Sequence, residues 1–159
     1  MYYEVNVKCV ICEPITTRFF CVLETLDGNY MVPINVSESG AESIFVELNE
    51  IVPPRPMTFD FISGILSAID DVKLEKVLIY DVEDCVFKTK ISINHNGLVK
   101  EIECRASDAI ALGLRIKAPI FIDEKLLNYK KCICKRSLDQ KGKKVLEEIL
   151  VDQRNISNH

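Results

Sequence analysis

The chain has 159 residues, 48% of them apolar, enough for one folded domain with a substantial core and too apolar for a disordered chain. Its formal charge of −4 is unevenly spread: residues 1–124 hold 11 Lys/Arg against 20 Asp/Glu, whereas residues 125–159 hold 9 against 4. An acidic body of this kind does not attract nucleic acid as a whole, and only the tail could offer phosphates a basic surface. No apolar run approaches the roughly 20 residues of a membrane span, and MYYEVNVK lacks the apolar centre of a signal peptide. The expectation is a cytoplasmic protein that does not enter membranes.

In chain order, residues 2–11 alternate, with Tyr3, Val5, Val7, Cys9 and Ile11 on one side, and predict a half-buried strand. Residues 17–25 and 30–36 predict two more, joined at the hairpin signal Asp27-Gly28, so the first three strands form an antiparallel meander. Ser39 and Glu42 fit a capping box opening a helix over roughly 38–49. Pro53, Pro54 and Pro56 end that helix and make a rigid connector. Thr58 can cap the next helix, over roughly 58–69, whose first turn contains Asp60. Strands are predicted over 72–82, 85–93 and 98–105, the last two joined by Asn96-Gly97.

The stretch CRASDAIALGLRIKAPIFI, from Cys104 to Ile122, stands out. Residues Ala109 to Leu114 are all small or apolar, the mark of a helix buried on every side. Ser107 stands at the expected cap of this helix over roughly 107–117, with Asp108 in its first turn and Arg115 and Lys117 in its last. Ala118-Pro119 stops it, and 120–122 reads as a short buried strand. The N-terminal end therefore presents Arg105, Ser107 and Asp108 together, the best candidate for a site. The predicted fold class is α+β, a mainly antiparallel twisted sheet with buried helices packed on it, and the domain runs over 1–128. Residues 129–159 read as a basic tail ending in an amphipathic helix with Val145, Leu146, Ile149 and Leu150 on one face.

Seven scattered cysteines do not form a secreted disulfide framework. Cys21, Cys85 and Cys104 lie in strand-like runs and read as small core hydrophobes. Cys9-x-x-Cys12 and Cys132-x-Cys134 have spacings that zinc uses, but strand periodicity puts Cys9 and Cys12 on opposite faces, which argues against a zinc site. No phosphate loop, dinucleotide fingerprint or nucleophile–base pair is present.

Three blocks together carry a resemblance: YMVPINVSESGAESI, PPRPMTFDFI and ECRASDAIALGLRIKAPIFIDEKLL. In order and spacing they resemble the bifunctional nuclease domain, a small α+β family reported to cut both DNA and RNA. The resemblance covers roughly residues 2–128 and leaves the tail outside. It implies a metal-dependent nuclease using Mg²⁺ or Mn²⁺, with RNA or DNA as partner and a homo-oligomer, dimer or larger, as the assembly. Metal-dependent cleavage needs carboxylates around a divalent cation. Glu42, Asp60 and Asp108, each in the first turn of a predicted helix, are the catalytic candidates, with Asp60 and Asp108 as metal ligands. Arg55, Arg105 and Ser107 are the candidates for holding substrate phosphate.

Each candidate has a plainer alternative: the carboxylates as ordinary first-turn acids favoured by the helix dipole, and Arg105 as the ion-pair partner of Asp108. Two departures from the family pattern also matter. Phe59-Asp60 stands where the family usually has His-Asp, and Arg105-Ala106-Ser107-Asp108 where it usually has Arg-Pro-Ser-Asp. An imidazole would be an obvious acid, base or metal ligand, and Phe59 is none of these. The alternative function is therefore a non-catalytic binding or regulatory oligomer that keeps the fold.

Overall fold

A computed structural model of the chain describes residues 1–14 and 17–129. The expected C-terminal amphipathic helix and Cys132-x-Cys134 lie outside the described residues. One seven-stranded sheet organises the fold, in the order β3-β2-β1-β7-β4-β5-β6. Its strands are β1 (Tyr2–Cys12), β2 (Phe19–Thr25), β3 (Met31–Val36), β4 (Val72–Glu83), β5 (Val86–His95), β6 (Leu98–Arg105) and β7 (Ile120–Asp123). Three helices, α1 (Glu38–Leu48), α2 (Thr58–Ala68) and α3 (Ala106–Ile116), pack on one face, making an α+β domain as the sequence predicts. No described helix is long and apolar enough to cross a membrane.

Two antiparallel meanders, β1–β3 and β4–β6, are joined through β7, which pairs antiparallel to β1 and parallel to β4. The two hairpins of the second meander turn through consecutive positive-φ residues, Asp84-Cys85 and Asn96-Gly97. Such turns match the right-handed twist of their strands. The first meander contains the main correction to the sequence reading. A bulge between Val7 and Cys9 shifts the register of β1. Val5 and Val7 therefore face the helices, while Cys9 and Ile11 join Phe20, Val22 and Met31 in a second apolar cluster. A single added residue reverses the alternation beyond it.

The buried helix is as the sequence predicts. Residues Ala109 to Gly113 of α3 are buried, and Ala109, Ile110 and Ala111 are at most 2% exposed. Gly113 lets α3 lie close on the sheet, since a Cβ there would sit 2.9 Å from Val77 Cγ2. Gly40 does the same for α1, where an added Cβ would meet the Ser107 Cβ at 2.7 Å. The helix stops with Lys117 in the left-handed region, φ 61°, and the Ala118 N–H donates to the Gly113 carbonyl at 2.9 Å. That geometry satisfies the last carbonyls before Pro119.

The caps also differ from expectation. Ser37, two residues earlier than Ser39, caps α1 by accepting from the Gly40 N–H at 3.1 Å. Arg105, and not Ser107, is the cap residue of α3, and Met57, and not Thr58, that of α2. The reason at α2 is Asp60, whose Oδ2 accepts from the Met57 N–H at 2.7 Å and closes the first turn from inside.

Candidate functional site

The crossing of α1 and α3 brings their N-terminal ends together, and α2 begins beside them. Ser39, Gly40 and Ser43 of α1, Thr58, Phe59 and Ile62 of α2, and Arg105 and Asp108 at the start of α3 line one open crevice of about 300 Å³. Each of these ends carries the positive pole of a helix dipole, a setting that favours anions. On the far side of Arg105 a second crevice of about 360 Å³ continues past Ser37, Ser107 and the Asp84-Cys85 turn. A larger groove of about 460 Å³, between β1 and the C-terminal end of α3, contains none of the candidate residues.

Arg105 and Asp108 form a bidentate pair at the mouth of the first crevice. Arg105 Nε donates to Asp108 Oδ2 at 2.7 Å and Nη2 to Oδ1 at 3.1 Å. This hydrogen bond, and then the carboxylate charge, push the guanidinium pKa above its ordinary value. The Arg105 side chain remains 75% exposed, so the pair faces water. Cys104 lies next in sequence and half-buried. Burial, followed by the charge of Asp108, raises its thiol pKa and keeps it protonated at neutral pH. Cys21, in the core, is pushed up to about 12 by burial and is inert for the same reason.

Asp60 sits in a different setting. One oxygen accepts from the Met57 N–H, and the other pairs with Arg115 Nη2 at 2.6 Å. Arg115 also donates through Nη1 to Glu47 Oε2 of α1 at 3.1 Å. These residues are packed with Ser43, Met57, Phe59 and Ala111 around only about 20 Å³ of open space. Phe59 borders both this packed junction, which contains Asp60, and the open crevice, which contains Asp108.

The remaining candidates do not join the group. Glu42 is exposed on α1 and lines neither crevice. Arg55 is exposed in the proline connector, with no ion pair among the described residues. Ser107 is 7% exposed and serves the α1–α3 crossing against Gly40. Among the described residues no three His, Cys, Asp or Glu side chains gather as a metal cluster. Sequence reasoning missed the hydroxyls of Ser39, Ser43 and Thr58 as crevice lining, having read Ser39 and Thr58 only as caps. It also missed Glu47 and Arg115 as partners of Asp60, because only the packing of three helices brings them together.

The described residues thus form a small α+β domain whose accessible polar crevice lies where three helix N-termini meet an arginine–aspartate pair. The chain belongs to the bifunctional nuclease domain family, whose model matches residues 21–135. It is also similar to uncharacterized proteins of two Mycobacterium tuberculosis strains, CDC 1551 and H37Rv. Each is 29% identical over 124 residues, covering 78% of this chain and 73% of the relative.

Proposed function

We propose that the chain is a metal-dependent phosphodiesterase acting on RNA and DNA, working at the crevice between the N-termini of α1, α2 and α3. The observation that carries this reading is the exposed Arg105–Asp108 pair, set in an open crevice that three helix N-termini make favourable for a phosphate. Arg105 offers the planar fork that matches a phosphate, and substrate would compete with Asp108 for it. As Arg105 turns to the phosphate, the Asp108 carboxylate is left facing the scissile group. The hydroxyls of Ser39, Ser43 and Thr58 flank that position and can orient the backbone of a nucleic acid.

The fit to a divalent ion is narrow but sufficient. Mg²⁺ is commonly held by one or two carboxylates together with substrate phosphates, and it keeps several waters. Asp108 supplies one such carboxylate. The second candidate ligand, Asp60, has both oxygens engaged by Met57 and Arg115. Asp108 would therefore hold Mg²⁺ or Mn²⁺ jointly with the substrate's own phosphate. When bound, the ion would polarise the phosphodiester and lower the pKa of a water.

A second reading rests on Phe59, which lines the crevice with a ring that has no transferable proton. On that reading the crevice binds a phosphate chain without cutting it, within a regulatory oligomer that keeps the family fold. One assay separates the two. Purified protein with Mn²⁺ or Mg²⁺ is expected to degrade single-stranded RNA and DNA, and EDTA to stop it. Intact substrates under every metal condition, with retention on the nucleic acid, would establish the binding reading instead.

A further inference from the structure

Both faces of the first meander are apolar, but among the described residues only one of them meets a helix. Val5, Val7, Cys21, Leu23, Val32 and Ile34 pack with the helices in the main core. On the opposite face Ile11, Phe20, Val22 and Met31 form a cluster of their own and are at most 8% exposed. The described apolar residue packed beside them is Cys9, from β1 itself. Side chains standing on one face of a sheet do not bury one another completely; they need a second layer across from them. The same face of the second meander shows the uncovered condition. There Lys90 lies over the Tyr80 ring at 5.2 Å, Glu101 pairs with Lys90 and Glu83 with Lys88, and these side chains stay in contact with water.

Beyond the described residues the chain has Ile15 and Thr16, too few to make a layer, and residues 130–159. Within the latter, KVLEEILVDQR at 144–154 carries Val145, Leu146, Ile149 and Leu150 at the spacing of one helical face. Eleven helical residues measure about 16 Å. The cluster runs about 16 Å along β1, from the level of Asn6, which stands opposite Glu24 and so beside Met31, to Ile11. It is three strands, about 10 Å, across, the width of one helix. The segment can also reach it. Asp123, near the point where the tail leaves, pairs with Tyr2, about 30 Å along β1 from Ile11. Residues 130–143 span at most about 50 Å when extended.

We infer that the segment 144–154 docks as a helix on this face of its own chain, laying Val145, Leu146, Ile149 and Leu150 over Ile11, Phe20, Val22 and Met31. It makes a layer on the side of the sheet away from α1, α2 and α3. The cover is confined to the first meander, where the face is apolar, and leaves the charged face of the second meander open. Tethering favours this occupant over a separate partner, because a linked segment is present at an effective concentration on the order of millimolar.

Charge points to the same occupant. The alternation of Cys9 and Ile11 carries Glu13, just past the end of β1, onto this face, and Glu13 is 0% exposed. A carboxylate so deeply buried is held by cations or hydrogen-bond donors, which suits a basic cover. Residues 125–159 hold 9 Lys/Arg against 4 Asp/Glu, whereas residues 1–124 are acidic. At the rim of the cluster Lys8 and Glu24 already pair with each other at 3.1 Å and add no net charge. This inference does not rest on the nuclease reading.

Three native cysteines report on the docking in the full chain. Cys9 lies half-buried beside the cluster, Cys12 is exposed, and Cys21 is buried in the main core. The double variant Leu146→Asp, Ile149→Asp should raise the alkylation rate of Cys9 at least about tenfold by undocking the helix. Cys12 should react as in the parent, and a protected Cys21 shows that the domain is still folded. An unchanged Cys9 rate would overturn the assignment. A second measurement needs no destabilised variant. Val145, Leu146, Ile149 and Leu150 are replaced by cysteine one at a time, and the chain is treated with a short thiol–thiol cross-linker. At least one replacement should join to Cys9 within a single chain, a link absent from the parent. Failure of all four, or links formed only between two chains, would overturn docking of the tail on its own sheet.

Discussion

Helix α3 holds an aspartate with an arginine at each end, and the two pairs differ in almost everything except composition. At its start, Arg105 and Asp108 come from the same turn, and the arginine stands 75% exposed over an open crevice. At its end, Arg115 reaches Asp60 of α2 and Glu47 of α1, and the Asp60 side chain is only 14% exposed in a packed junction. The first pair is local and reversible, so a phosphate can compete for its arginine. The second joins three elements, and separating it would leave a poorly solvated charge. A carboxylate–guanidinium pair is therefore informative about function only together with what surrounds it. By that measure Asp108 is the functional candidate and Asp60 a structural one.

This contrast can be tested in order of expected effect. Asp108→Asn keeps the side chain's size and removes its charge. We expect it to lower nucleic-acid cleavage by about 100-fold or more, equivalent to at least ~2.7 kcal/mol of barrier, while changing stability by less than ~1 kcal/mol. Equal cleavage by parent and variant would remove Asp108 from the site.

Gly113→Leu probes the surface on which both pairs depend. Its side chain would run into Val77, and overpacking of this kind costs roughly 1–3 kcal/mol or more. An unchanged melting temperature would show that α3 does not lie against β4 as described.

Asp60→Asn should behave oppositely to the Asp108 variant. It weakens the contact to Arg115 and the closure of the first turn of α2, for a loss of about 1–2 kcal/mol once the partial exposure of Arg115 is discounted. Cleavage per folded molecule should be nearly unchanged. If Asp60→Asn keeps full stability and loses cleavage, the distinction drawn between the two aspartates is reversed.

The smallest expected effect is on Cys104. Burial raises its pKa first, and the charge of Asp108 raises it further. Removing that charge in Asp108→Asn lowers the thiol pKa toward its ordinary value, so more thiolate is present at any pH below it. Alkylation of Cys104 at mildly alkaline pH should then speed up by about a few-fold or less, and the gain should shrink as pH rises through the lowered pKa. Equal rates in parent and variant would mean that the Asp108 charge does not reach the thiol.

The sequence alone determined the elements of this fold and the identity of its buried helix. The strands at 72–82 and 98–105, the helices at 38–49 and 58–69, and the run Ala109 to Leu114 all follow from periodicity and from Gly, Pro and Asn-Gly punctuation, which act over a few residues. The Arg105–Asp108 pair was legible as one of two open readings because its members are three positions apart on one helix, a spacing at which side chains meet. Other features were decided only in three dimensions. The bulge in β1 reversed the faces of Cys9 and Ile11 because register is settled by the neighbouring strand, and periodicity carries no record of an extra residue. The parallel pairing of β7 with β4 joined two meanders separated along the chain. Asp60 could be recognised as a first-turn carboxylate, but its partners lie 55 and three positions away, on α3 and at its own cap. Whether a carboxylate is free for chemistry depends on which distant side chains its oxygens meet, and that is settled by the packing of α1, α2 and α3.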